Sequence, residues 1–349
     1  MTASTLNLSY QPQVFADTKD MSRSKWLKTR KFGIGGSESS IVMGVSPFAT
    51  KRDLYYDKLD IKPLQRQEEE ENWVAKEVGN RLEDLVAIIF SKKTGLPVYP
   101  DKMMYQHPFF QFMKADVDFV IHFSDGTKGL LECKTCNYNS QFKWKDNQVP
   151  INYEWQCRHY MAVMNLDVCY IACLYGNNDA EYFIHKIERD LDKEQELILA
   201  EKAFWENYIQ AKVEPPYEEE PDLVLESIRK HTGDPNKLLP PVTITQDAKD
   251  QMERYLQLAE EKSQLDAKKR EIEKEQKTLS IPFVEQLGEA CQAVLINGDE
   301  RYQITYNPTV RKSVKKENIT KLENMYPDVY EDVISESVSR TFRVKKEAA

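Results

Sequence analysis

Residues 113–135, MKADVDFVIHFSDGTKGLLECKT, decide how this chain is read. Met113 to Ile121 reads as one strand and Lys128 to Thr135 as the next, with Asp125-Gly126 between them as a hairpin signal. Residues two apart on a strand share a face, so Glu132 and Lys134 project together, and Asp116 and Asp118 do likewise. A two-residue Asp-Gly loop would set Asp118 opposite Cys133, on the wrong face for Glu132. A three-residue loop or a single bulge would set it opposite Lys134, on the shared face. The pattern therefore predicts an odd loop if the acids are to meet. Two carboxylates beside an ammonium suit metal-assisted phosphodiester chemistry, in which the acids hold Mg²⁺ and the amine stabilises developing charge. The plainer reading is an exposed hairpin with a surface ion pair, since E-x-K alone is common in acidic chains.

Working outward, Gly33-Ile34-Gly35-Gly36-Ser37 feeds a helix from Glu38 to Met43. Unpaired backbone N–H groups at such a helix start can cradle phosphate, although a turn plus an N-cap explains the same residues. Trp73 to Thr94 has helical periodicity through Val78, Leu82, Leu85, Val86, Ile89 and Phe90, with Glu83 at the edge of that stripe. Tyr153 to Asn165 is a second helix, on which Gln156 and Tyr160 lie four apart on one face. Val168 to Leu174 reads as a buried strand, Ala180 to Ile187 as its alternating partner, and Asp190 to Lys212 as a long amphipathic helix. Pro215-Pro216 and the acidic, Pro-ended run after it mark a linker. A long exposed helix is expected from Thr245 to about Leu279, then a strand pair around Asn297-Gly298, then a basic cluster from Arg311 to Lys316. The expected organisation is an N-terminal arm (1–21), a core (22–214), a linker (215–245) and a helical and β-hairpin extension (246–349).

At 349 residues the chain can bury a substantial core, and 41% hydrophobic residues fit a folded protein. No apolar run approaches the roughly 18 residues of a membrane span, no secretory signal precedes the fold, and six Cys imply no disulfide framework. A cytoplasmic protein without a membrane partner is expected. The net charge of −9 argues mildly against a nucleic-acid partner, yet charge is unevenly placed. Lys19 to Arg66 holds 11 Lys/Arg against 5 Asp/Glu, while Gln67 to Asp84 holds 2 against 7. Phosphate responds to the local patch rather than the sum.

Six short motifs, taken in order, add a resemblance: Arg30-Lys31-Phe32-Gly33-Ile34-Gly35-Gly36-Ser37, Ser46-Pro47-Phe48, Gly79-Asn80-Arg81-Leu82-Glu83, Ala115-Asp116-Val117-Asp118, Glu132-Cys133-Lys134 and Gln156-Cys157-Arg158-His159-Tyr160-Met161. Across about Trp26 to Leu174 the chain resembles the YqaJ-like viral recombinase family, relatives of lambda exonuclease within the PD-(D/E)xK nuclease superfamily. The resemblance implies an α/β fold with a restriction-endonuclease-like core, a central mixed β-sheet flanked by helices. It implies a helix carboxylate at Glu83, metal-binding carboxylates at Asp118 and Glu132 with the main-chain carbonyl of Cys133, and a catalytic Lys134. Gln156 and Tyr160 match the helix that lines the site, and Arg30 and Ser37 match positions that hold a terminal 5′-phosphate. Phe119 stands where the family usually has Gly, which leaves Asp116 open beside Asp118. Pro100-Asp101 precedes the strand and reads as a decoy.

The implied activity is Mg²⁺-dependent 5′→3′ digestion of linear double-stranded DNA, with one or two ions and Mn²⁺ as a substitute. It leaves 3′ tails for recombination by single-strand annealing. The implied partners are DNA ends, a RecT-like or Bet-like annealing protein, and further copies of the chain in a trimeric ring. A site-specific endonuclease and a non-catalytic DNA-binding subunit remain alternatives on the same fold. Cys133 and Cys136 suggest an iron–sulfur nuclease, but no Cys precedes them, and Cys157, Cys169 and Cys173 read as core residues. No iron–sulfur cluster is expected, and scattered His make zinc equally unexpected.

Overall fold

The computed structural model describes residues 7–64, 73–144, 148–233, 236, 238–244, 248–297, 300–310 and 316–334, which fall into two compact units, 1–239 and 240–349. The first unit runs β1 (Gln13–Asp17), α1 (Arg23–Arg30), β2 (Ile34–Gly35), α2 (Gly36–Val42), α3 (Lys51–Lys58), α4 (Trp73–Thr94), β3 (Val98–Pro100) and β4 (Met103–Gln106). It continues through β5 (Met113–Asp116), β6 (Phe119–His122), β7 (Lys128–Thr135), α5 (Ile151–Met164), β8 (Val168–Leu174), β9 (Tyr182–Glu188), α6 (Leu191–Phe204) and α7 (Pro221–Thr232). The segment expected as an arm thus contributes β1, which pairs with β4, and the expected linker contains α7.

A five-stranded mixed sheet in the order β3-β6-β7-β8-β9 forms the centre, with β7 parallel to β8 and every other pair antiparallel. Period-two alternation along β7 sends Leu131 and Cys133 to one face, where Val86, Ala87 and Phe90 of α4 cover them. Leu130 goes to the other face, against Cys157, Met161 and Met164 of α5. Burying each such side chain contributes roughly 1.5–3 kcal/mol, so the helices are held on both faces. This is the expected central mixed sheet between helices.

Met113 to Ile121 is two strands in two sheets, not one. β5 belongs to a smaller sheet of order β1-β4-β5-β2, and the chain crosses at Val117-Asp118 to begin β6 in the central sheet. Met113, Lys114 and Ala115 are all buried, whichever face they occupy, because β5 is packed on both sides. Asp116 and Asp118 therefore share no strand face. The loop between β6 and β7 is odd, as the pattern required, but sits one residue earlier than expected. Phe123 N–H bonds Thr127 O at 3.0 Å, leaving Ser124-Asp125-Gly126 as the loop, with Gly126 at φ 84°. Phe119 faces Leu131, so the register carried one step further puts Asp118 across from Glu132 rather than Lys134.

Helix α5 is fixed from several directions. His159 is fully buried, and its Nε2 donates to the Lys114 carbonyl at 2.8 Å while Nδ1 lies 2.7 Å from Glu201 of α6. At its other edge α5 meets α2 so closely that a Cβ on Gly36 would fall 2.6 Å from Cζ and 2.9 Å from Cδ1 of Tyr160.

The second unit holds α8 (Lys249–Leu287), the hairpin β10 (Gln292–Asn297) and β11 (Glu300–Thr305), α9 (Lys316–Met325) and α10 (Pro327–Val333). The expected long helix and hairpin are both present. α8 runs past its expected end and through Pro282, which has no N–H to give to the helix ladder. Of the expected basic cluster from Arg311 to Lys316, residues 311–315 lie outside the described residues, as does Glu68 to Glu71. No helix among the described residues is long and apolar enough to cross a membrane.

The Gly36–Tyr160 approach makes a testable contrast. Gly36→Ala should destabilise the fold by about 1–3 kcal/mol, because the ring has no room to yield. Gly79→Ala, whose Cβ would meet only Thr135 Oγ1 at 3.7 Å, should stabilise α4 by about 0.5–1 kcal/mol. Urea unfolding of the two variants reads both signs.

Candidate active site

The ends of β5 and β7, the start of β6 and helices α1, α2, α4 and α5 enclose a cleft of about 640 Å³. Every residue expected at the site lines it: Arg30, Ser37, Glu83, Asp118, Glu132, Cys133, Lys134, Gln156 and Tyr160. Glu132 is 3% exposed, and its Oε1 accepts from Lys134 Nζ at 2.5 Å and from Gln156 Nε2 at 2.6 Å. Gln156 Nε2 also lies 3.3 Å from the Tyr160 hydroxyl, so the two α5 residues act as one brace on Glu132. Asp118 Oδ2 accepts the Cys133 backbone N–H at 2.9 Å. In an extended strand a residue's N–H and C=O project to the same edge, so the Cys133 carbonyl faces the Asp118 side as well. Its side chain, meanwhile, is packed beneath α4.

The electrostatics of this group are unbalanced. Burial, and then the neighbouring Glu132, push the Asp118 carboxyl up to about 8. Burial and Asp118 push Glu83 up to about 7, and burial raises Glu132. Burial alone would lower Lys134, but Glu132 and Asp118 outweigh it and hold the ammonium protonated. Lys134 is the ammonium bonded within this group, and Lys102 also acts on Glu83. No described residue places a hydrogen bond on Glu132 Oε2 or Asp118 Oδ1, so each acid keeps one oxygen facing the cleft without a donor. Two carboxylate oxygens and a main-chain carbonyl are hard donors, the set that Mg²⁺ or Mn²⁺ accepts. Among the described residues no group of three or more His, Cys, Asp or Glu side chains converges on one point, so the fit rests on these two acids plus backbone.

Asp116, the open alternative, also lines the cleft. It ends β5, and its Oδ2 accepts the Trp26 indole N–H at 2.5 Å. Asp101 lines it too, engaged by Met103 N–H and the Tyr105 hydroxyl. Cys157, Cys169 and Cys173 sit in the core.

Several residues at the cleft escaped the sequence reading. Trp26 lies under the Arg30 guanidinium, 4.8 Å from ring centroid to carbon. The Tyr153 ring lies 5.0 Å from Lys134 Nζ. Lys114 is 5% exposed, over the Phe15 ring, and burial pulls its ammonium down to about 8. With Arg23, Lys76 and Lys102 it gives the cleft a basic wall in an acidic chain. Glu38 is buried beside Arg30, a role that reading the Gly33 to Ser37 stretch as a phosphate cradle or a turn plus N-cap did not give it.

The chain shows similarity to known proteins on three levels. Residues 25–167 match the YqaJ-like viral recombinase domain. Over 342 residues, 97% of this chain and 99% of the relative, it is 30% identical to the uncharacterized protein YqaJ of Bacillus subtilis (strain 168). Among solved structures it is similar to an alkaline exonuclease from Laribacter hongkongensis, at 22% identity and TM-score 0.45, covering 54% of this chain and 93% of that one. A phage-related exonuclease from Haemophilus somnus 129PT gives 15% identity and TM-score 0.36, covering 52% and 96%. A mixed α/β core with an acid-lined cleft is the class that fold and cleft define. Within it, the chain belongs to the YqaJ-like viral recombinase family.

The acid cluster predicts a pH-dependent response to cation. Asp118 and Glu83 sit above their unfolded values, so the folded chain without metal holds protons more tightly than the unfolded one. The stability they contribute is full at low pH and is lost as pH rises through about 7 to 8. Mg²⁺ should therefore raise Tm more at a pH of about 8.5 than at about 5.5, and Asp118→Asn should remove that difference.

Proposed function

We propose that this protein is a Mg²⁺-dependent 5′→3′ exonuclease acting on linear double-stranded DNA. It leaves 3′ single-stranded tails for recombination by strand annealing, in the cytoplasm of a bacterial or phage-infected cell. The observation that carries the reading is that one cleft holds both the Asp118–Glu132–Lys134 cluster and the Arg30–Ser37 pair. The first suits phosphodiester hydrolysis, and the second suits recognition of a terminal phosphate.

In this reading Asp118, Glu132 and the Cys133 carbonyl hold the cation. When bound, Mg²⁺ supplies Lewis acidity at the scissile phosphate and lowers the pKa of the attacking water. Lys134, kept protonated by its acidic neighbours, stabilises the charge that develops on the phosphate oxygens. Gln156 holds Glu132 in place, and Tyr160 backs Gln156. Glu83 adds a third carboxylate to the cleft wall. Arg30 and Ser37, joined at 2.8 Å, bind the terminal 5′-phosphate, Arg with its planar fork. Anchoring that end and cutting beside it gives the 5′→3′ polarity. The basic wall offsets the net charge of the chain where the DNA backbone enters. A ring of copies and a RecT-like or Bet-like annealing protein are the partners this activity implies.

Three substrates with Mg²⁺ test the proposal: linear 5′-phosphorylated duplex, linear 5′-hydroxyl duplex and closed circular duplex. The first should be degraded quickly, the second slowly and the circle not at all. Cutting of the circle would indicate an endonuclease, and no cutting anywhere a binding subunit. Lys134→Ala should lower cleavage by at least about 10²-fold while DNA binding persists. A rate within a few-fold of wild type would remove Lys134 from the chemistry.

A further inference from the structure

Behind Arg30 lies a buried ion pair that the chemistry above does not use. Glu38, in the first turn of α2, accepts Lys58 Nζ on Oε2 at 2.6 Å and the Gly35 N–H on the same oxygen at 2.8 Å. Its Oε1 takes Arg30 Nη2 at 3.2 Å. The Lys58 side chain is fully buried, and its Nζ also donates to the Arg30 carbonyl oxygen at 3.0 Å. The pair from α2 and α3 thus grips Arg30 at both its backbone and its guanidinium. Trp26 covers one face of the guanidinium, and Nη2 is committed to Ser37 and Glu38. Among the described residues no acceptor meets Nη1 or Nε, so those N–H groups remain for an anion in the cleft that Arg30 lines.

Charge separates this arrangement from an ordinary salt bridge. A carboxylate paired with Arg30 alone would cancel the charge an anion needs. Here Lys58 shares Glu38, so two cations face one anion and the cluster keeps a net positive charge. Burial would raise Glu38, but Lys58 and then Arg30 hold its carboxyl below the usual range. Such a buried pair contributes little net stability, because desolvation offsets most of its attraction. What it supplies is orientation: a guanidinium fixed in advance loses less entropy when it binds.

We propose that Glu38, together with Lys58, is the positioning element that presents Arg30 to a terminal phosphate and so sets the preference for phosphorylated over unphosphorylated 5′ ends. This rests on the end-recognition reading given above for Arg30 and Ser37.

The test compares kcat/KM on linear duplexes with 5′-phosphate and 5′-hydroxyl ends for wild type, Arg30→Ala, Glu38→Gln and the double variant E38Q/K58M. The double variant removes both buried charges at similar volume, and should unfold within a few degrees of wild type. Glu38→Gln and the double variant should each cut the phosphate-to-hydroxyl ratio by about tenfold, mainly through KM on phosphorylated ends. A purely structural role would lower both substrates together and leave the ratio intact, which overturns the proposal. If Arg30→Ala abolishes the preference while both Glu38 variants keep it within about twofold, the positioning role alone fails. If wild type shows no preference, or Arg30→Ala retains it, the end-recognition reading fails first and this inference falls with it.

Discussion

The candidate site depends on two carboxylates, a buried Glu132 and a half-buried Asp118, held face to face across the β6–β7 register and desolvated enough to favour their protonated forms. Asp118 and Glu132 meet because the β6–β7 loop is odd and because β6 begins immediately after the chain changes sheets. A one-residue slip would carry Glu132 and Lys134 to the α4 face, into an apolar layer that cannot accept them. The apolar alternation of Phe119, Ile121, Leu131 and Cys133 beneath α4 thus enforces the register that brings the acids together. Hydrophobic packing on one face of the sheet sets the electrostatics of the other.

That arrangement was partly legible in the sequence. Strand β8 and helix α4 were readable to the residue, because long apolar runs with a clear period leave few alternatives. Glu132 and Lys134 followed from period two alone, and the odd loop from the demand that acids share a face. The sheet switch at Val117-Asp118 was not legible, since β5 is buried on both faces and its residues carry no alternation to betray a break. Glu38 and Lys58 were hidden for another reason. Their meaning lies in contacts among α1, α2 and α3, and no local pattern distinguishes the buried Lys58 from the half-buried Lys51 of the same helix. Trp26 and Lys114 were likewise visible only once the small sheet was placed beside α1.

Net charge was a poor guide to the cleft. The chain is acidic at −9, yet the basic side chains of α1, β5 and the β3–β4 turn line the same space as the acids. Opposite charges are sorted within a few residues: acids at the β6–β7 crossing, cations around its rim. Such sorting is what a polyanion and a cation would need in order to occupy one cleft together.

The central claim is that Asp118, Glu132 and the Cys133 carbonyl share one divalent cation. Crystals soaked in Mn²⁺ test it directly through anomalous scattering. The expected result is a peak between those three groups at about 2.0–2.3 Å from each oxygen, lost in Asp118→Asn. A peak centred on Asp116 or Asp101 instead, or no peak at millimolar Mn²⁺, would contradict it.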